Sequence, residues 1–239
     1  MSKPLRALLL AAGLGTRLRP FTLHTPKCLA PIGGKPLLGH WLSKLEAVGC
    51  EAVLINTHHL ADQVEQFLKS WPRTAMAIET AHEPELLGTA GTLMAHEAFF
   101  AGATGLLIHA DNVMADDLTG LLLAHGQRPR PCLLTMLTFT TCTPSSCGIV
   151  EINATGVVTA FYEKVADPPG NRANGALYAF DADFLEFAKQ MSKPTNDFST
   201  EVIPALMGRI HTCHTTEAYL DIGTPEMLER AQKLWEAKA

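Results

Sequence analysis

The chain has 239 residues, with 19 Lys and Arg against 24 Asp and Glu, a formal net charge of −5. That balance excludes binding of nucleic acid through bulk positive charge, which needs a basic face. With 47% hydrophobic and 18% charged residues the composition is that of a packed globular chain, and no apolar run approaches the roughly 20 residues of a membrane span.

In chain order, short apolar runs bounded by turn residues read as strands and longer segments with a period near 3.6 as helices. Residues 7–12 form a strand that empties at once into Gly13-Leu14-Gly15-Thr16-Arg17, which argues against a secretion signal at this end. A helix over 37–48 is stopped by Gly49, a strand follows at 52–56, and a helix at 59–69 lines up Leu60, Val64, Phe67 and Leu68. Next come a strand at 76–79, a helix at 89–100 and a strand at 105–110 that ends on Asp111. This alternation predicts a mostly parallel sheet with helices on both faces. From 132 the spacing becomes hairpin-like, with strands at 132–139, 148–152, 157–163 and 175–180. Helices at 181–190 and 200–207, a strand at 210–214 and a helix at 225–238 complete the chain. Pro-rich spots such as Arg128-Pro129-Arg130-Pro131 are too short for linkers, so residues 1–239 are expected to form one domain.

Cysteines at 28, 50, 132, 142, 147 and 213 form no CxxC pair and are expected to be reduced thiols of a cytoplasmic protein. His211, Cys213 and His214 lie in an alternating stretch that points them to different faces, so they read as structural. His58 and His59 read as core or rim residues, and His109 stands two positions before Asp111.

The sharpest feature is the strand and loop Leu9-Leu10-Ala11-Ala12-Gly13-Leu14-Gly15-Thr16-Arg17, followed by Thr25-Pro26-Lys27. Glycines after a buried strand expose backbone N–H groups to an anion, and Arg17 and Lys27 add fixed positive charge. Phosphate is the expected guest. The dinucleotide fingerprint fails, because Leu18 stands where its third glycine belongs, and the Walker pattern fails at Gly34-Lys35-Pro36.

This segment resembles the opening of the sugar-1-phosphate nucleotidylyltransferase family, a strand followed by G-x-G-T-R and P-K. The resemblance continues in family order through residues 82–92 (HEPELLGTAGT), Asp111-Asn112, residues 147–150 (CGIV), Glu163-Lys164, residues 174–178 (NGALY) and residues 220–225 (LDIGTP). It implies a Rossmann-like three-layer α/β sandwich with a mostly parallel mixed sheet, a nucleotide-binding half over about 1–112 and a sugar-binding half over about 113–239. It also implies a reaction in which a sugar 1-phosphate attacks the α-phosphorus of a nucleoside triphosphate and releases pyrophosphate. Such a step depends on in-line positioning and charge neutralisation.

Carried over residue by residue, the resemblance makes Arg17, Lys27 and Lys164 the catalytic cations. Asp111 and Asp221 would be ligands of one Mg²⁺. Leu10, Ala12, Gly13, Gly15, Thr16, Glu83, Gly88 and Thr89 would take the nucleotide, and Gly148, Glu163 and Asn174 the sugar. Glu83 can only accept hydrogen bonds, which suits the two adjacent donors of guanine and slightly favours GTP over UTP. The segment from Thr22 to Lys27 also occurs in uridylyl-transferring relatives, including those acting on N-acetylmuramic acid 1-phosphate. The alternatives are therefore a uridylyltransferase on an N-acetylated amino sugar 1-phosphate, or a homologue that binds without turnover. No nucleic-acid or membrane partner is expected, and the chain is expected to be a monomer or homodimer.

Overall fold

Residues 3–191 and 196–236 are described by the structure, a computed structural model of the chain. Among them the elements run β1 (Leu5–Leu10), β2 (Pro31–Ile32), β3 (Lys35–Pro36), α1 (Leu37–Ala47), β4 (Ala52–Thr57), α2 (Ala61–Ser70), β5 (Ala77–His82), α3 (Gly88–Ala95), β6 (Thr104–His109) and β7 (Asn112–Met114). They continue with α4 (Thr119–Gly126), β8 (Leu134–Thr140), β9 (Gly148–Ile152), β10 (Val158–Glu163), β11 (Arg172–Phe180), α5 (Ala182–Lys189), α6 (Ile203–Ala205), β12 (Ile210–His214), β13 (Tyr219–Asp221) and α7 (Pro225–Glu236). The fold class is α/β with a mixed sheet.

By compactness the chain forms two units that interleave along the sequence. The first comprises Met1–Arg6, Leu87–Leu107 and Asp116–Glu217, and the second Ala7–Leu86, Ile108–Ala115 and Ala218–Ala239. In the first unit β11 pairs antiparallel with β8 and with β9, β10 pairs antiparallel with β9, and β12 runs parallel to β8. Its core is aromatic: Phe180 packs on Phe100 and Phe184 at 5.0 and 5.2 Å between centroids, and Phe198 packs on Tyr178 at 4.6 Å. Asp181, which precedes α5, gathers Arg128 at 2.9 Å, Lys3 at 3.1 Å and the Thr104 hydroxyl at 2.9 Å.

In the second unit β4 lies between β1 and β5 and is buried along its whole length, which is why its first four residues read as an apolar run before Asn56 and Thr57. β4 and β5 are parallel. Trp41, on α1, is fully buried and donates its indole N–H to Asn112 O at 2.8 Å, tying the helix to β7. β13 returns antiparallel to β7, with Asp221 opposite Asn112.

Several boundaries differ from the sequence reading for local physical reasons. β1 stops at Leu10 because the N–H groups of Ala11 and Ala12 turn to the Asn56 side chain. The helix expected to reach Phe100 ends at Ala95, where His96 leaves helical geometry (φ −115°, ψ 22°), and a 3₁₀ turn carries the chain on. The helix expected over 200–207 is a π-turn at Phe198–Val202 running into the three-residue α6. α4 had no counterpart in the sequence reading. The helix expected to reach Lys238 is seen to Glu236, and its last residues lie outside those described. All six cysteines are free, and no helix among the described residues is long and apolar enough to cross a membrane.

Candidate phosphate and nucleotide site

The second unit holds the glycine loop. Gly15 has φ +61°, and a Cβ there would meet Thr22 Cγ2 at 2.7 Å, so both backbone and space require glycine. The Thr22 hydroxyl closes the turn by donating to Gly15 O at 2.8 Å, and a ring nitrogen of His59 bonds Thr22 O at 2.7 Å. Thr16 and Arg17 open a 3₁₀ turn with exposed side chains, while Leu18 in the same turn is buried. Leu10 O accepts the N–H of Ala110, Ala12 is buried with its N–H held by Asn56, and Gly13 is exposed.

Lys27, expected at the phosphates, and Asp111 and Asp221, expected to hold a metal, have all three side chains brought together by the fold. Lys27 Nζ lies 2.6 Å from Asp111 Oδ2 and 3.3 Å from Asp221 Oδ1, contacts that span 84 and 194 positions of chain. The convergence follows from strand pairing. Asp111 precedes β7, Asp221 closes β13, and Ile222 N–H donates to Asp111 O at 3.0 Å. Arg17 reaches Asp221 at 3.7 Å, and its guanidinium lies against Gly223, where a Cβ would approach to 3.1 Å. Burial alone would raise the Asp111 carboxyl, but the Lys27 ammonium, the His109 ring and the hydrogen bond from Lys27 hold it below its ordinary value. Burial alone would lower Lys27, and the two carboxylates overcome that and raise it. A shallow cavity beside this cluster is lined by Leu10, Ala11, Gly13, Lys27, Cys28 and Asp111. Burial pushes the Cys28 thiol up to about 12, which removes it as a thiolate nucleophile.

Glu83 is buried and accepts a hydrogen bond from Asn56 Nδ2 at 2.9 Å, and its carbonyl is bonded by the His58 ring at 2.7 Å. Sequence reasoning gave Asn56 no role and read His58 and His59 as core or rim. The signal available was a polar residue closing the apolar run of β4.

The remaining candidates lie in the first unit. Gly88 has φ +78°, and a Cβ there would stand 2.3 Å from Asn196 O. Thr89 accepts the Phe198 N–H on its hydroxyl at 2.7 Å. Gly148 is opposite Glu163 in the β9–β10 ladder, and a Cβ at 148 would meet Glu163 Oε2 and the Phe161 ring at 2.6 Å. The Glu163 side chain thus lies across a glycine that leaves room for it. Lys164 sits at φ +50° with its ammonium 3.0 Å from Glu163, and its N–H donates to Cys147 O. Asn174 stands where the β11–β8 register shifts; it donates to the Tyr178 hydroxyl at 2.7 Å and accepts the Ala176 N–H at 2.9 Å. Among the described residues no three His, Cys, Asp or Glu side chains group as a metal site.

The family model described as Nucleotidyl transferase matches residues 6–238. A mannose-1-phosphate guanylyltransferase catalytic subunit beta from Drosophila pseudoobscura pseudoobscura is 32% identical over 229 residues, covering 92% of this chain and 60% of its own length. A mannose-1-phosphate guanylyltransferase from Mycobacterium tuberculosis is 30% identical, with 92% of this chain and 61% of the relative covered. The chain thus spans about three fifths of the length of these relatives. A solved structure described as a glucose-1-phosphate thymidylyltransferase from Bacillus anthracis superposes with a TM-score of 0.86 over 97% of this chain and 95% of that one, at 23% identity, and shares the fold.

Proposed function

The chain belongs to the nucleotidyl transferase family, and on that premise we propose that it joins a sugar 1-phosphate to a nucleoside triphosphate in the cytoplasm, releasing pyrophosphate, as a monomer or homodimer. The observation that carries the reading is Lys27 held by Asp111 and Asp221 beside a glycine loop whose turn admits no side chain. A phosphate-transferring site needs cations beside a backbone that can approach the anion closely, and this arrangement supplies both.

Within the second unit, Leu10, Ala12, Gly13, Gly15 and Thr16 line the nucleotide, Arg17 grips the outer phosphates with its planar fork, and Lys27 neutralises charge at the phosphorus under attack. Asp111 and Asp221 are hard oxygen donors that already converge on a single point charge, a set suited to Mg²⁺, which keeps most of its shell for water and phosphate. When bound, Mg²⁺ adds further neutralisation of the phosphates. In the first unit Gly88 and Thr89 are further nucleotide candidates, Glu163 and Asn174 take sugar hydroxyls, with Gly148, also assigned to the sugar, leaving room for the Glu163 side chain, and Lys164 takes the sugar phosphate. GTP is favoured by the acceptor-only carboxylate at Glu83 and by the names of the curated relatives.

The test mixes the purified protein with Mg²⁺, each of the four ribonucleoside triphosphates and dTTP, and a panel of sugar 1-phosphates, and measures pyrophosphate. GTP with a hexose 1-phosphate is expected to be the most active pair. A stronger signal with UTP and an N-acetylated amino sugar 1-phosphate would replace the base assignment, and silence from every pair would overturn the enzymatic reading.

A further inference from the structure

Asn56 stands at the end of the buried strand β4 with 4% of its surface exposed, and its amide is used on both sides. Its Oδ1 accepts the N–H groups of Ala11 and Ala12 at 2.7 and 3.3 Å, at the point where β1 becomes the glycine loop. Its Nδ2 donates to Glu83 Oε1 at 2.9 Å. An amide flip would aim NH₂ at two N–H donors and an oxygen at a carboxylate, so only one orientation satisfies both sides. Glu83 is 3% exposed and is held through its own carbonyl by His58, so it serves as the fixed end of the chain of bonds.

We infer that Asn56 is a positioning residue for nucleotide binding: Glu83, Asn56 and the Ala11 and Ala12 amides form a buried relay that sets the direction in which the glycine loop leaves the sheet. The inference rests on the nucleotide-binding reading of that loop. The relay turns the first two N–H groups after β1 inward, so the phosphate-facing part of the loop starts at Gly13. It also fixes which oxygen of Glu83 faces Asn56, and thereby the orientation of the whole carboxylate. The four members come from three separate stretches of chain, and Asn56, which links them, need not touch the ligand to govern its affinity.

Asn56→Asp is the sharpest perturbation. It is isosteric and keeps an oxygen for Ala11 and Ala12, but it replaces the donor toward Glu83 with a second carboxylate at hydrogen-bond distance. The double variant Asn56→Asp with Glu83→Gln restores one donor and one acceptor at that contact with the direction reversed, since the Gln amide can donate to the Asp carboxylate. Binding of GTP and of UTP is measured by titration calorimetry, separately from turnover, and each variant is checked by thermal melting. Asn56→Asp is expected to weaken both nucleotides about tenfold or more, with the KM for the sugar 1-phosphate unchanged in any variant that turns over. The double variant is expected to regain most of the loss for UTP and less of it for GTP, because the carboxylate proposed to accept from guanine is gone.

Asn56→Asp binding both nucleotides within twofold of the parent would overturn the inference. So would a double variant that binds UTP no more tightly than the single one, or a rescue that restores melting temperature but not UTP affinity. If the parent protein binds neither nucleotide, the functional reading itself fails, an outcome distinct from any of these.

Discussion

Replacing Lys27 by Met keeps an unbranched side chain of similar length and deletes only the ammonium. The Lys27 side chain is 10% exposed, against 34% for Asp111 and 50% for Asp221. The contact with half-exposed Asp221 is screened by water and contributes at most about 1 kcal/mol. The 2.6 Å contact with Asp111 is a charge-assisted hydrogen bond in a partly buried setting, which contributes about 1.5–3 kcal/mol. Deleting the cation also leaves two carboxylates converging, while the Met side chain recovers some apolar burial. The net expectation is a loss of about 2 kcal/mol, a factor of about 30 in the folding equilibrium. Urea unfolding followed by Trp fluorescence at pH 7 in metal-free buffer measures it, with the denaturant slope unchanged. Adding Mg²⁺ is expected to raise the midpoint of the variant more than that of the parent, because the ammonium no longer competes for the two carboxylates. Pyrophosphate release is expected to fall about 100-fold or more. A variant within about 0.5 kcal/mol of the parent, or one that gains no more than the parent from Mg²⁺, would refute this account of the cluster.

Gly88→Ala is expected to destabilise by about 3–4 kcal/mol. The left-handed backbone at φ +78° costs a Cβ residue about 1–2 kcal/mol. The overlap with Asn196 O, a backbone atom, displaces a segment held by Ala90 N–H to Asn196 O and Phe198 N–H to Thr89 Oγ1, bonds of about 1 kcal/mol each. A chemical denaturation loss below about 1 kcal/mol would contradict it. Asp181 gives a pH signature: burial alone would raise its carboxyl, but the His125 ring 3.6 Å away and the contacts from Thr104, Lys3 and Arg128 hold it well below the usual range. Because the folded value is depressed, this contribution is complete above the unfolded carboxyl value of about 3.9 and is lost progressively as pH falls from there toward the lower folded value. Asp181→Asn should therefore be less stable than the parent by about 2 kcal/mol at pH 7, with the gap closing toward pH 2. A gap that stays constant across that range would dismiss the assignment.

The parts of the site carried by local sequence were legible. A buried strand running into glycines, a basic residue just after it and acidic residues at strand ends all leave marks within a dozen positions. What could not be read depends on distant partners. The pairing of Asp111 with Asp221 comes only through the family resemblance and not from local pattern: it arises from the β7–β13 ladder, and neither three-residue strand has a pattern long enough to announce its mate. Asn56 looked like the polar end of an apolar run until the loop amides were seen to converge on it. α4 was invisible because its run of three leucines lacks a helical period. The helix expected from 89 to 100 was overextended, since apolar residues continue past His96 while the backbone does not. The interleaving of the two units is not marked by a linker, and two of its crossings, Leu86–Leu87 and Leu107–Ile108, fall between apolar residues.

The return of β13 to β7 bears on when the site can come into being. Lys27 and Asp221 are 194 positions apart, and the first unit's longest stretch, Asp116–Glu217, is synthesised between them. A chain emerging from the ribosome therefore carries its glycine loop, Arg17 and Lys27 through most of translation, and Asp111 from its own synthesis onward, without the second carboxylate. The earlier residues can be in place and still not make a cation site. A slip of one residue in the three-residue strand would put Leu220 or Ile222 where Asp221 belongs, so a small error late in assembly would leave a folded protein with one of the cluster's two carboxylates missing.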